Sequence, residues 1–164
     1  RKDPHSGGTE ADIQEQMTML FQLRRDLEAA ADLVDQIEIV RSQLQALPRL
    51  VEGDVELRRS AGELEQRFID LEMNLVDVRL TGRGQDGVRW GTKLVGKLGY
   101  LANGVMSGDF EPTDQQREVQ GILEERLRAH QQELAALVAR DLAAFNEWLR
   151  TRSLPIVVAR APAS

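Results

Sequence analysis

The sequence contains no cysteine, only two histidines and few aromatic residues: four phenylalanines, two tryptophans and one tyrosine in 164 positions. The absence of cysteine excludes disulfides and thiolate chemistry, and two histidines offer little for a transition-metal site. A hydrophobic fraction of 41% with so few aromatics favours a helical protein packed by Leu, Val and Ala over a β-sandwich. The longest uncharged apolar run, Leu98 to Gly108, is too short and too rich in glycine to cross a membrane.

The charge of the chain argues against nucleic acid as a partner. The formal net charge is −6 and the isoelectric point is about 5.0, so the surface repels phosphate backbones. The chain begins with Arg1 rather than Met and shows no signal peptide, which predicts a piece of a larger protein. Residues 1–8 contain an Asp-Pro pair and a Ser-Gly-Gly triplet, and are predicted to be a linker from an upstream domain.

The first predicted helix is nearly as long as the last one. Thr9, with Asp12 three residues later, is a good N-cap, and Pro48 is predicted to end the helix. Apolar residues at helical spacing define one stripe along it: Ile13, Met17, Leu20, Leu23, Leu27, Ala30, Val34, Ile37, Val40, Leu44 and Leu47.

The second predicted helix shows a seven-residue repeat, which is the seam of left-handed helix packing. Its apolar positions are Leu57, Ala61, Leu64, Phe68, Leu71, Leu75 and Val78. Five charged residues lie off the seam and are expected to face water: Glu63, Glu65, Arg67, Asp70 and Glu72. Leu71→Ala is therefore expected to cost about 2–5 kcal/mol through lost burial, and Glu72→Ala less than about 0.5 kcal/mol.

A third, shorter helix is predicted from about Val88 to Met106, with four glycines that permit close backbone approach. Its apolar stripe is Trp90, Leu94, Leu98, Leu101 and Val105. A fourth helix runs from Thr113, which has a Gln three residues on as in a capping box, to Arg150. Its stripe is spaced mostly by three, four and five residues: Val119, Ile122, Leu123, Leu127, His130, Leu134, Leu137, Leu142, Phe145 and Leu149.

The predicted fold class is all-α: an antiparallel up-down helical bundle of three long helices and one shorter helix, with a short extended C-terminal tail. The bundle is predicted over residues 9–152 and the tail over 153–164. The simplest arrangement is up-down-up-down, and the alternative is three long helices capped at one end by the short one. The apolar segment 154–158 is too short to be stable alone, so it either pairs outside this chain or lies along a groove.

No constellation of residues predicts a catalytic, cofactor or metal site. Residues 82–87 match the G-x-G-x-x-G pattern, but a helix precedes them where a dinucleotide fold needs a strand, so a loop is expected. His130 has no Glu three residues before it and is expected in the core or at its boundary. Asp141 lies near the last stripe and needs a cationic partner, Lys93, Lys97 or an arginine.

Aromatic residues are concentrated in the third helix and at the end of the fourth. Trp90 and Phe145 are expected to pack inside the bundle. Trp148 lies beside the apolar tail and is a candidate for interdomain docking, together with Leu154, Ile156 and Val157.

Three segments carry a family resemblance: residues 2–13 (KDP, then GTEADI), residues 107–113 (SGDFEPT) and residues 141–150 (DLAAFNEWLR) followed by Leu154-Pro155. Together they resemble the C-terminal helical region of large bacterial proteins with BNR-type or sortilin-like β-propeller repeats, often labelled glycosyl hydrolases. The resemblance implies an exported protein, periplasmic or extracellular, whose upstream propeller domains are partners of this chain. It transfers no catalytic residue, because the binding or active surface of that family would lie on the propellers.

The sequence therefore predicts a non-catalytic helical structural or interaction module of a larger exported β-propeller protein. The alternative is a self-standing coiled-coil adaptor that binds a partner helix through an exposed apolar stripe. An enzyme in its own right is the least favoured class. The oligomeric state stays open, with a homo-oligomer among the alternatives.

Overall fold

The computed structural model of the protein describes residues 7–79 and 90–160. Within these ranges the regular structure is entirely helical, which confirms an all-α bundle of three long helical rods and one shorter helix. The elements are α1 (Glu10–Leu50), α2 (Val55–Leu75), α3 (Leu94–Val105), α4 (Asp114–Ala136), a π-helical segment (Leu137–Leu142) and α5 (Ala143–Thr151). The last three form one continuous rod, and an extended tail follows it.

Each long rod begins at a side chain that caps its first turn. Thr9 Oγ1 accepts from the Asp12 N–H at 3.1 Å, and Asp12 Oδ2 accepts from the Thr9 N–H at 2.8 Å. The Thr113 hydroxyl and the carboxamide of Gln116 form the same box at 3.2 and 2.9 Å. Asp54 caps α2 by accepting from a backbone N–H three residues later at 2.9 Å. These caps satisfy donors that a helix leaves unpaired at its start, and both predicted threonine caps are confirmed.

Pro48 does not end α1, so that prediction was wrong. The helix continues to Leu50 with Pro48 inside its last turn. Proline removes a single helical hydrogen bond there, and the buried Leu47 immediately before it holds the turn against the core. The chain reverses at Gly53, whose φ of +88° lies in the left-handed region that favours glycine.

Helices α2 and α3 both run antiparallel to α1 and follow one another along it. The turn at residues 51–54 folds α2 back onto the second half of α1. Gln16, near the start of α1, donates to the carbonyl of Val105 at the end of α3 at 2.6 Å. Arg117 near the start of α4 pairs with Glu15 at 2.6 Å, so α4 runs parallel to α1. Three helices therefore meet at each level of the bundle, and α2 and α3 share one direction instead of alternating.

The buried face of α1 differs from the predicted stripe in its first half. Met17 is exposed, whereas Gln16, Met19 and Asp26 are buried. The true seam includes two polar residues, so a stripe drawn through apolar residues alone moves onto the neighbouring face. The carbonyls of Val105 and Gly108 accept from Gln16. Asp26 accepts from Gln22 at 3.0 Å through Oδ1, and its Oδ2 is buried without a hydrogen-bond donor.

The predicted seam of α2 is buried from Leu57 to Leu75, where the helix ends. Val78 lies beyond the helix and is exposed, so the last position of the seam was wrong. Glu72 was expected to face water, and this was also wrong, because only 1% of its surface is exposed. It lies beside the seam at the contact with α1, where Arg41 pairs with its carboxylate.

Helix α3 begins at Leu94, six residues later than predicted; Val88 itself lies outside the described residues. Trp90 precedes the helix in an irregular segment, where the guanidinium of Arg79 lies 3.6 Å from its ring centroid. This cation–π contact covers one face of the indole. The remaining predicted stripe is confirmed as the buried face of α3: Leu94, Leu98, Leu101 and Val105.

The last rod contains the π-helical segment at the place where its apolar stripe takes a step of five residues. A π-helical turn holds more residues than an α-helical turn, so Leu137 and Leu142 both remain on the buried face. Asp141 in this segment pairs with Arg67 of α2 and with Arg140 at 2.9 Å. Arginine is therefore its partner among the predicted alternatives.

Candidate interaction surfaces

A shallow groove between α3 and α4 exposes apolar side chains to solvent. Its volume is about 840 Å³. Tyr100 of α3 is 81% exposed, and Val119 and Ile122 of α4 are also exposed, although the sequence placed the last two on the buried stripe. The narrower face through Leu123 and Leu127 is sufficient to pack α4 on its neighbours. The surplus apolar width of α4 therefore forms one wall of the groove.

Two glycines of α3 keep the groove open. Gly96 and Gly104 lie along it on either side of Tyr100, and neither presents a side chain to it. A Cβ atom added at Gly104 would lie 3.7 Å from the Gln116 amide nitrogen of α4. Leu101 lies below them in the core. The result is a shallow depression with an apolar floor. A bound helix could approach the backbone of α3 closely at these two glycines.

Among the residues that the structure describes, the charged side chains that line this groove are Lys97 and Arg126. Both are cationic, in a chain whose net charge is −6. They lie toward the end of the groove where α3 begins, because Lys97 is in the first turn of α3 and α4 runs antiparallel to it. A ligand that places carboxylates at this end gains a favourable Coulomb interaction.

A second surface, between α1 and α5, is already occupied by the tail. The carboxamide of Asn146 accepts from the Val157 N–H and donates to the Val157 carbonyl, both at 2.8 Å. Gln43 of α1 binds Val158 in the same way, at 2.9 and 2.8 Å. Successive residues of an extended chain direct their backbone groups to opposite sides, so the two carboxamides hold the tail from both sides. The Val157 side chain enters the core and is 2% exposed.

The tail leaves α5 through a Schellman turn at Ser153. The Leu154 N–H donates to the carbonyl of Leu149, and the Ser153 N–H to that of Arg150, both at 3.0 Å. Ser153 has a φ of 56°, a left-handed conformation that usually takes Gly or Asn. Leu154 packs against the core, as expected after this turn, and Pro155 then keeps the chain from returning to a helix.

The predicted docking residues fall into two groups. Trp148 stacks on Phe145, with ring centroids 5.6 Å apart, and the Arg152 guanidinium lies 4.2 Å from its ring centroid. Leu154 and Val157 pack against the core of this chain, while Ile156 is exposed. Of the two alternatives for the tail, the structure shows it lying along a groove. A role of these residues in docking another domain stays a prediction.

Titratable groups with shifted pKa values have structural partners. A hydrogen bond from the Arg79 side chain lowers the pKa of Asp77 to about 2. Burial raises the pKa of Asp26, opposed by the hydrogen bond from Gln22. His130 is half-buried and lies 3.4 Å from Glu133, consistent with the predicted boundary position. No three acidic or histidine side chains within residues 7–79 and 90–160 are grouped closely enough to hold a metal ion.

The G-x-G-x-x-G segment at residues 82–87 and the linker residues 1–6 lie outside the described residues. In the parts of the chain that the structure does describe, no helix has the length and apolar character needed to cross a bilayer. Comparisons with family models, with curated proteins and with solved structures found no match to this chain.

Proposed function

We propose that this chain is a non-catalytic helical interaction module and that the α3–α4 groove is its binding surface. The observation that carries the proposal is the exposure of Tyr100, Val119 and Ile122 along one groove. A helical bundle normally buries such residues, and an exposed apolar groove with a polar rim is typical of interaction sites. The capping box at Thr113, which lines the groove, stabilises the start of the helix that forms one of its walls.

The occupant that fits best is an amphipathic helix bearing carboxylates. Helix α3 has 12 residues, which corresponds to a groove about 18 Å long, or roughly three turns of a bound helix. Apolar anchors spaced i, i+3 or i+4, and i+7 would lie beside Tyr100 and Ile122. Glutamates on the flank of that helix would meet Lys97 and Arg126.

The partner can belong to the same protein or to another one. The resemblance of residues 141–150 and the other two segments to β-propeller proteins supports a partner in an upstream domain of an exported protein. The reading frame that precedes Arg1 tests this directly, since a propeller-encoding sequence is expected there. If no such domain precedes Arg1, the exposed groove favours the second candidate, a self-standing adaptor that binds a partner helix in trans.

Calorimetry with designed peptides tests the groove itself. The probe is a helical peptide of about 14 residues, roughly 21 Å long, with leucines at the anchor spacing and glutamates on both flanks. Ile122→Glu places a carboxylate in the groove. Val55→Glu is the control, because it places a carboxylate at an exposed apolar position of α2, outside the groove. We expect Ile122→Glu to weaken binding at least about tenfold, about 1.4 kcal/mol, and Val55→Glu to leave it unchanged.

A peptide of opposite charge tests the contribution of Lys97 and Arg126. A second peptide with lysines in place of the glutamates should bind more weakly than the first, because it meets Lys97 and Arg126. Equal binding of the first peptide to the Ile122→Glu and Val55→Glu variants would contradict the proposed site. Equal binding of the two peptides to the unchanged protein would contradict the proposed chemistry of the partner.

A further inference from the structure

The seat that Gln43 and Asn146 form for the tail recognises an extended segment chiefly through its backbone. Four hydrogen bonds, at 2.8 to 2.9 Å, join the two carboxamides to the N–H and carbonyl groups of Val157 and Val158. The Val157 side chain is buried in the core and Leu154 packs against it, whereas the side chains of Ile156 and Val158 are exposed. We propose that this seat also accepts the tail of a second copy, so that two copies exchange residues 154–160 reciprocally.

The occupant is assigned to a second copy because each copy carries the segment that the seat is seen to hold. An exchanged pair would keep the same four hydrogen bonds and the same buried valine in each seat. Exchange therefore keeps the contacts of the seat and loses the two backbone hydrogen bonds of the turn at Ser153. Conservation of most contacts is the usual condition for domain swapping. Seven residues of extended chain reach at most about 25 Å, so the exchange requires the two α5 ends to lie close together.

The hinge favours exchange because it is strained in the closed form. Ser153 is held at a φ of 56°, which costs an L-residue free energy. Opening the chain at Ser153 into an extended conformation removes this cost. Pro155 has a fixed φ and biases Leu154 toward an extended conformation, so the first two residues of the tail stay extended when the turn opens. Short strained hinges of this kind are known to promote swapping.

Complementation between two full-length variants tests the exchange. Val157→Asp leaves the seat intact but gives a tail whose charge cannot enter the core. The double variant Gln43→Ala, Asn146→Ala keeps the tail intact and loses both carboxamides. When the two are mixed, the intact tail of the double variant can occupy the intact seat of the Val157→Asp variant. Neither variant alone contains both an intact tail and an intact seat.

The measurement is sedimentation velocity of each variant and of the 1:1 mixture, with far-UV circular dichroism confirming that each is folded. We expect a heterodimer with a dissociation constant at least about tenfold below that of either homodimer. Ile156→Asp is the matched control, because this exposed position leaves the tail in its own seat and should abolish the gain on mixing. Where Val157→Asp fails to fold, Val158→Pro serves instead, since it removes the N–H that donates a hydrogen bond to the Gln43 side-chain oxygen.

The proposal is overturned if the 1:1 mixture shows no association beyond that of the unchanged protein. In that case the mixture sediments as monomers at every concentration at which the unchanged protein sediments as monomers. The proposal is equally overturned if the Ile156→Asp mixture associates as strongly as the Val157→Asp mixture, because association would then not use the seat. Neither outcome bears on the α3–α4 groove, which lies on other helices.

Discussion

Replacing Glu72 tests the packing of α1 on α2 most sharply. Its carboxylate is buried and pairs with Arg41, whose side chain is 20% exposed. The other carboxylate paired with Arg41 is that of Glu65, at 3.8 Å. Glu72→Ala leaves a largely buried guanidinium with one weak partner, and breaking a buried pair in this way costs about 3–5 kcal/mol. Because Arg41 keeps some contact with water and with Glu65, we expect a loss of about 2–4 kcal/mol.

Urea unfolding followed by circular dichroism measures this loss from the midpoint and slope. Glu63→Ala, at an exposed position of the same helix, is the control and should stay within about 0.5 kcal/mol. Leu71→Ala sets the scale for a lost core contact, at about 2–5 kcal/mol. The double variant Arg41→Met, Glu72→Leu should recover most of the stability, because no buried charge remains. A Glu72→Ala variant as stable as Glu63→Ala, or a double variant no better than Glu72→Ala, would refute this reasoning.

Three further predictions concern the hinge and two carboxylates. Ser153→Gly should raise the free energy of unfolding by about 1 kcal/mol, because glycine adopts a positive φ without steric cost; urea midpoints check this. Asp26→Leu should raise the urea midpoint at neutral pH, because it removes a buried carboxylate. Burial disfavours the ionised form of this carboxylate. Since the folded pKa of Asp26 is raised, this gain should shrink as the pH falls toward 3.8, and melts across that range test it. The folded pKa of Asp77 is lowered to about 2, so its contribution is complete above about 3.8 and lost as the pH falls to about 2; Asp77→Asn should flatten the acid dependence of stability there.

Local chemistry made several features of the fold predictable. The caps at Thr9 and Thr113 depend on residues three positions apart, so the sequence contains both partners. The seam of α2 repeats every seven residues without a polar interruption, and its positions from Leu57 to Leu75 are all buried. The five-residue step from Leu137 to Leu142 is the sequence signal of the π-helical segment, although an α-helical stripe can also contain such a step.

The features that could not be predicted depend on partners far apart in sequence. Glu72 resembles a surface residue until Arg41 is placed opposite it across the α1–α2 contact. The in-line order of α2 and α3 is set by packing on α1, which no single segment encodes. Gln43 and Asn146 are far apart in sequence and resemble any other polar residues of their helices, so no local signal marks the seat of the tail. The groove did have a signal: Val119 and Ile122 made the stripe of α4 wider than its packing requires.

Chemical-shift mapping by NMR tests the central claim, that the α3–α4 groove is the binding surface of an interaction module. The glutamate-flanked peptide is titrated into the ¹⁵N-labelled protein and backbone amide shifts are followed. We expect saturable changes at Gly96, Tyr100, Gly104 and Ile122, and no change at the amide of Val55. Saturable changes confined to other helices, or no change at peptide concentrations that saturate the calorimetric signal, would contradict it.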